Sequence, residues 1–130
     1  MFKFSGKRPG NLGVRDGKLA PSPNKPNCVN SQDSGAHGIA PLGYKGDGAA
    51  AMKKLAALVA ALPNASIAEQ RADYLYAEFS TPLMGFVDDV EFYLPPQGGV
   101  IHVRSASRLG YSDLGVNRKR IEQLRAAFAA

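Results

Sequence analysis

Three segments between residues 74 and 107 alternate apolar and polar side chains, and this pattern constrains the fold more than any other feature of the chain. The segments cover residues 74–80, 86–94 and 100–107, with short breaks at 81–85 and 95–99. Strand side chains alternate between the two faces of a sheet, and connections this short join antiparallel neighbours. With a shorter strand expected over residues 65–70, the pattern predicts a four-stranded antiparallel sheet.

Amphipathic segments flank the predicted strands on both sides. The first covers residues 48–62, with Asp47 placed to cap its free amides, and the second covers residues 114–128 or 118–128. The apolar residues that share a helical face are Met52, Leu55, Val59 and Leu62 in the first segment and Leu114, Ile121, Leu124 and Phe128 in the second. Two helices on one face of the sheet bury both apolar faces, which predicts a two-layer α+β fold.

The first 46 residues have the composition of an irregular but ordered arm. Residues 1–48 hold nine of the 14 glycines and five of the nine prolines, which disfavours regular structure. Spaced apolar side chains nevertheless run through it, namely Leu12, Val14, Leu19, Val29, Ile39, Leu42 and Tyr44. We therefore expect residues 1–46 to wrap over a core formed by residues 47–130 in one domain, and a flexible tail is the alternative.

The single cysteine limits the chemistry that the chain can support. Cys28 has no second cysteine with which to form an internal disulfide. One cysteine and two histidines are also too few ligands for a structural zinc site, so no metal is predicted. The sequence has no phosphate-binding loop and no nucleophile elbow, and no cofactor is predicted.

Hydropathy and charge bear on location and partners. No apolar run approaches the ~20 residues that cross a bilayer, and residues 1–8 are basic without an apolar stretch behind them. No transmembrane segment and no export signal are therefore predicted, and the cytoplasm is the expected location. The net charge of +5 is spread along the chain rather than gathered in a stripe with aromatic residues, so nucleic-acid binding is disfavoured.

The face of the predicted sheet opposite the helices is polar and aromatic. Its residues are Tyr74, Tyr76, Glu78, Asp89, Glu91, Tyr93, His102, Arg104 and Arg108. A hairpin turn near residues 97–98 places Arg104 across from Asp89 or Glu91. Either this face is solvated and carries cross-strand ion pairs, or the arm covers it and leaves a pocket.

Basic residues crowd the entry to the last helix. Residues 104–120 contain five of them and one acid, although a helix N-terminus already carries about half a positive charge. In one explanation Arg118 or Arg120 pairs with Asp88 or Asp89, which ties the helix to the sheet. In the other, the guanidinium groups of three arginines converge with helix-start amides on a phosphate or carboxylate ligand. These three are Arg104, Arg108 and Arg118.

The N-cap of the last helix depends on where that helix begins. Asp113 is placed to cap a helix that starts at residue 114, and Asn117 one that starts at residue 118. In the longer helix the Asn117 amide shares a face with Leu114 and Ile121, and so points toward the interior.

Several motifs resemble the domain of unknown function family numbered 1499. They comprise residues 11–14, 17–19, 26–32 and 85–92, then Arg104-Ser105-Ala106-Ser107-Arg108, Gly110-Tyr111-Ser112-Asp113 and Asn117-Arg118. The resemblance runs from about residue 9 to the end. It relates the chain to bacterial and plastid proteins and implies no particular reaction.

The resemblance adds motif positions and a contrast in cysteine use. The positions that carry over are Asp88, Asp89, Glu91, Arg104, Ser105, Ser107, Arg108, Tyr111, Asp113, Asn117 and Arg118. Many members look exported or membrane-anchored, and they tend to have a cysteine-proline pair where this chain reads Pro21-Ser22-Pro23. A paired-cysteine role therefore cannot apply, and Cys28 is expected to be a small buried residue.

Three functions remain open at this point. The preferred one is binding of a small anionic or polar molecule between the sheet and the last helix, by Arg104, Arg108, Tyr111, Asp113, Asn117 and Arg118. The second is a small hydrolase or isomerase with Asp88 or Asp89 as general base, or with Cys28 paired to His37 or His102. The third is a structural protein or one that binds an unidentified protein partner, with the motif residues serving only to join arm, sheet and helix.

Overall fold

The computed structural model describes residues 6–81 and 85–130. The sequence-predicted break at 81–85 therefore lies largely outside the described residues, as do the first five residues of the basic start. The strands are β1 (Cys28–Asn30), β2 (Leu42–Gly43), β3 (Ala65–Gln70), β4 (Tyr74–Ser80), β5 (Val87–Tyr93) and β6 (Val100–Ser107). The helices are α1 (Gly48–Ala60) and α2 (Val116–Ala129), and a single 3₁₀ turn covers Gly35–His37.

The sheet is antiparallel and has six strands, which corrects the prediction of four. Its order is β1-β6-β5-β4-β3, and β2 pairs with another part of β6. The two additional strands come from the arm, where they are three and two residues long. Strands this short show no alternating pattern, and their partners are 57 to 78 residues away in sequence. The α+β class and the four predicted strands are confirmed, with bounds that agree within two residues.

One face of the sheet and both helices form the main hydrophobic core. Leu55, Val59, Phe92 and Ile121 are among its fully buried side chains, and the arm contributes Val29 and Leu42. The predicted cap of α1 is present, because an Asp47 carboxylate oxygen accepts a hydrogen bond from the Ala50 amide. Neither α1 nor α2 combines the length and the apolar composition that a membrane-crossing helix needs.

The start of α2 differs from both predicted positions. Leu114 and Gly115 have φ of 54° and 82°, a left-handed conformation that no α-helix accommodates, so the helix begins at Val116. Leu114 was predicted on the buried face of this helix, and that prediction is wrong because its side chain is 93% exposed. The buried residues of α2 are Asn117, Ile121, Leu124 and Phe128.

The arm crosses the face of the sheet opposite the helices. Leu19 packs with Tyr74 and Tyr76 in a second, smaller cluster, and Leu12 and Val14 lie against it. The Arg15–Lys18 bridge turns the chain back on itself before it reaches β1. The polar and aromatic face is therefore covered by the arm, and most of its charged side chains are removed from water.

Candidate functional site

Arg108 is the centre of an ion-pair network beneath the arm. Its guanidinium donates to Asp89 Oδ2 from Nε at 2.9 Å and to Asp89 Oδ1 from Nη2 at 2.8 Å, and Nη2 also contacts Glu78 and the Tyr76 hydroxyl. Arg8 of the arm contacts the same Glu78 carboxylate from the solvent side. Hydrogen bonds to Asp89, outweighing the effect of burial, raise the pKa of Arg108. Two of the three guanidinium nitrogens, Nε and Nη2, are therefore engaged by side chains of the sheet.

Arg104 lies opposite Glu91, one of the two partners that the predicted hairpin allowed. Arg104 Nη1 is 3.9 Å from Glu91 Oε1, whereas Oε2 accepts hydrogen bonds from the Tyr74 hydroxyl and from the Gly13 amide at 2.7 Å. Gly13 has a φ of 99°, which only glycine adopts readily, and this brings its amide close to the carboxylate. Arg104 Nη2 donates to the Pro21 carbonyl at 3.3 Å. The pair therefore connects the arm to the centre of the sheet.

Burial governs the protonation of this covered face. It raises the pKa of Glu91, which is fully buried, and the hydrogen bond from Tyr74 opposes the shift only in part. Burial and the neighbouring carboxylates also raise the pKa of Tyr74 and of Tyr76, so both hydroxyls stay protonated and donate. Glu91 Oε1 and Arg104 Nε have no hydrogen-bond partner among residues 6–81 and 85–130.

Asp88 faces the helix layer, as its parity in β5 predicted. Its carboxylate pairs with Arg120 of α2, Nη2 to Oδ2 at 2.7 Å, and the guanidinium stacks on the Phe79 ring. This is one of the ion pairs proposed above to tie the last helix to the sheet. Asp88 and Asp89 are both buried and each is held by an arginine, so neither carboxylate is poised to accept a proton from a substrate.

Asn117 joins three parts of the chain. Its amide nitrogen donates to the Asn27 carbonyl, to Ser107 Oγ and to Asp113 Oδ2, and its Oδ1 accepts from Ser105 Oγ and from Arg120. The side chain is fully buried, which confirms that it points inward although α2 begins at a different residue. These contacts make Asn117 a structural link between α2, β6 and the arm.

Asp113 offsets the positive end of α2 from outside the helix. The formal N-cap is Gly115, which has no side chain, and Asp113 accepts from the Gly115 and Asn117 amides at 2.8 and 3.1 Å. A third donor is the Asn117 side chain at 2.7 Å. The carboxylate is thus fully engaged, and the protein supplies its own anion at this helix start.

The three arginines predicted to share a ligand do not converge. Arg104 and Arg108 lie in separate ion pairs beneath the arm, whereas Arg118 lies on α2 and donates to the Ala36 carbonyl at 2.9 Å. Arg118 instead borders an open cleft of about 410 Å³ between the arm and the start of α2. The cleft is lined by Asn24, Lys25, Pro26, Cys28, Val29, Ala36, His37, Tyr111, Ser112, Asp113, Gly115 and Arg118.

Three of the predicted ligand residues meet at this cleft, namely Tyr111, Asp113 and Arg118. Lys25 also lines it and was not predicted, and His37, which lines it too, was considered only as a possible partner of Cys28. Nothing in the sequence shows which part of an irregular arm faces the last helix. Lys25 forms no ion pair with any residue that the structure describes, and Tyr111 is 69% exposed at the rim. The cleft therefore offers cationic and aromatic groups that remain accessible.

Cys28 is buried at the base of the cleft. Its Sγ contacts the Ser22 hydroxyl at 3.0 Å, and burial raises the pKa of the thiol, which disfavours the nucleophilic thiolate. The His37 ring donates from Nδ1 to the Cys28 carbonyl at 2.9 Å, and His102 Nδ1 is hydrogen-bonded to Ser31 Oγ. Neither imidazole contacts the sulfur through these bonds, so the thiol lacks an adjacent base.

Comparison with known proteins places the chain in a family without assigning an activity. No curated protein and no solved structure matches it. The sequence profile of the family described as "Protein of unknown function (DUF1499)" matches residues 18–128, which span β1 to α2 and include every residue considered above except those of the first part of the arm. The chain therefore belongs to the DUF1499 family.

Proposed function

We propose that this protein binds a small molecule bearing a phosphate or carboxylate group in the cleft between the arm and the start of α2. The observation that carries the proposal is the charge of the cleft. Lys25 and Arg118 supply cationic groups and His37 a hydrogen-bonding ring, and the one acidic lining residue, Asp113, accepts its hydrogen bonds from the start of α2. Two cations against one carboxylate that is held at the helix start leave an excess of positive charge for an entering anion.

The internal hydrogen bonds of the cleft support a preformed site. His37 donates Nδ1–H to the Cys28 carbonyl, which fixes the orientation of its ring at the cleft. Arg118 is held in place by the Ala36 carbonyl through one nitrogen only, and its other donors are not engaged by described residues. Ordered side chains lose less conformational freedom when they bind, so little reorganisation is needed on ligand entry.

The two other functions have weaker support. A hydrolase or isomerase needs an accessible general base, and Asp88 and Asp89 are both buried in ion pairs. A purely structural role accounts for Arg104, Arg108 and Asn117, whose contacts join arm, sheet and helix. It does not account for the exposed cations and the tyrosine at the cleft.

The test is ligand-dependent thermal stability with matched variants. Phosphate, glycerol phosphate and a short carboxylate are compared with chloride at equal ionic strength, for wild type, Lys25→Ala and Arg118→Ala. A ligand at ten times its Kd adds about 1.4 kcal/mol, which raises the melting temperature by roughly 5 °C. We expect this shift for at least one anion in the wild type and its loss in both variants.

Lys53→Ala is the matched control, because Lys53 is exposed on α1 and does not line the cleft. It removes the same charge and is expected to leave the shift intact. If no anion exceeds chloride, or if Lys53→Ala reduces the shift as much as Lys25→Ala, the proposed site is wrong.

A further inference from the structure

Residues 109–116, which cover most of the β6–α2 connection and the first residue of α2, carry all the large apolar side chains that are exposed in the described parts of the chain. They are Leu109 at 41%, Tyr111 at 69%, Leu114 at 93% and Val116 at 44% exposure. Scattered exposed apolar residues are common on soluble proteins, but four within eight consecutive residues concentrate apolar surface in one segment, which is typical of an interaction surface. We call this segment the apolar loop.

The apolar loop is braced in its exposed conformation. Leu114 adopts a φ of 54°, which is unfavourable for a branched side chain, and the neighbouring polar groups hold it there. Ser112 Oγ accepts from the Leu114 amide, and Asp113 accepts from the Gly115 amide. The left-handed conformation of Leu114 is thus energetically unfavourable and leaves the leucine side chain exposed to water, although a helix starting two residues earlier would place it against the core.

The surroundings of the apolar loop are cationic. Lys25 and Arg118 line the adjacent cleft, and Lys119 is exposed one residue further along α2. The nearest acid in sequence, Asp113, is held by hydrogen bonds at the start of α2 and is outnumbered by these three cations, and the whole chain carries a net charge of +5. A partner that combines an apolar interior with negative surface groups complements this arrangement.

We propose that the apolar loop docks this protein onto a lipid bilayer that contains anionic headgroups. Leu114 and Val116 enter the acyl region, Tyr111 lies at the headgroup level, and Lys25, Arg118 and Lys119 contact lipid phosphates. A stable protein interface buries about 800 Å² on each partner, far more than four side chains on a protruding loop supply, whereas a bilayer encloses such a loop from all sides. The inference rests on the proposed function in one respect, since Lys25 and Arg118 serve both.

The chain has no tryptophan, so insertion can be followed with a single introduced fluorophore. Leu114→Trp is mixed with vesicles of phosphatidylcholine alone or with an equal share of phosphatidylglycerol. We expect a blue shift of its emission only with the anionic vesicles. Because the side chain at 114 is 93% exposed, this substitution does not disturb the core.

Vesicle co-sedimentation then tests the contribution of each group. We expect wild-type binding to the anionic vesicles, a loss of about tenfold or more in Leu114→Ser, and a smaller loss in Leu109→Ser, whose side chain is less exposed. Lys119→Ala is expected to weaken vesicle binding without changing the thermal shift with phosphate, because Lys119 does not line the cleft. Lys53→Ala is the matched control for loss of charge.

The two proposals fail in different ways. No binding of the wild type to anionic vesicles overturns the bilayer proposal, even where phosphate raises the melting temperature. Binding that Leu114→Ser leaves unchanged, with no blue shift in Leu114→Trp, means electrostatic adsorption alone and also overturns it. So does a concentration-dependent dimer that Leu114→Ser abolishes, since the apolar loop would then meet a second copy. Vesicle binding without any shift from soluble anions overturns the soluble ligand only.

Discussion

Replacing Asn117 with alanine removes five hydrogen-bond contacts from a fully buried position, three of which share the two N–H groups of its amide. Three of these bonds join neutral groups and are worth about 1 kcal/mol each, and the two to Asp113 and Arg120 are worth about 1.5 kcal/mol or more each. The Asn27 carbonyl keeps a bond from the Ser107 amide, which lowers the cost. We therefore expect Asn117→Ala to reduce the free energy of unfolding by about 3–4 kcal/mol.

The assay is urea unfolding followed by circular dichroism, with Gln123→Ala as the matched control. Gln123 is an exposed amide on the same helix, so its replacement also exchanges an amide for alanine, with a smaller gain in helix propensity and without loss of a buried contact. The reasoning fails if Asn117→Ala costs no more than about 1 kcal/mol beyond Gln123→Ala. It also fails if the m-value changes while the midpoint does not, because that result would place the effect in the unfolded state.

Three further predictions concern the covered face and the apolar loop. Arg108→Met leaves the buried Asp89 carboxylate without its cationic partner and is expected to lower the free energy of unfolding in urea by about 3–5 kcal/mol. Arg8→Met, at the exposed end of the same network, is expected to leave the urea midpoint nearly unchanged. Burial raises the folded pKa of Glu91 above its unfolded value, so the wild type loses stability as pH rises through that folded pKa. Glu91→Gln has no such group, and its unfolding free energy relative to the wild type is therefore expected to increase from pH 4 to pH 7. A difference that stays constant over this range contradicts the prediction. Leu114→Gly relieves the left-handed strain and is expected to raise stability by about 1 kcal/mol while it weakens vesicle binding; a loss of stability on calorimetry counts against the strain.

Local patterns were sufficient to predict most of the helix and sheet core. Alternation in β4, β5 and β6 correctly predicted which side chains of each strand face the core, because a shift of the pattern by one residue would expose the apolar side chains. The pairing of Arg104 with Glu91 was one of two predicted registers, and only the length of the turn at residues 95–99 separates them. The Asp88–Arg120 pair is one of the four pairings that the need to neutralise a buried carboxylate left open, and the sequence did not decide among them.

The remaining features depend on contacts that are distant in sequence. β1 and β2 are too short for a pattern, and their pairing with β6 decides which arm residues line the cleft. The sequence therefore did not indicate that Lys25 and His37 line the cleft. The left-handed backbone at Leu114 was unexpected because a leucine at helical spacing ordinarily belongs to the buried face. Strand parity predicts the face of the sheet on which a side chain lies, but not the direction in which a long side chain extends. The separation of the three arginines could therefore not be predicted from the sequence.

The position of the arm in the chain sets an order of events during synthesis. Residues 28–30 leave the ribosome well before residues 104–106, with which they pair. At a translation rate of ~5–20 residues per second the interval is roughly 4–15 seconds. The hairpins of β3, β4 and β5 can form meanwhile, but the sheet cannot receive its cover until β6 has been made. The thiol of Cys28 is open to water and oxidants throughout that interval, and the carboxylates of Asp89 and Glu91 are open from their own synthesis until β6 joins the sheet.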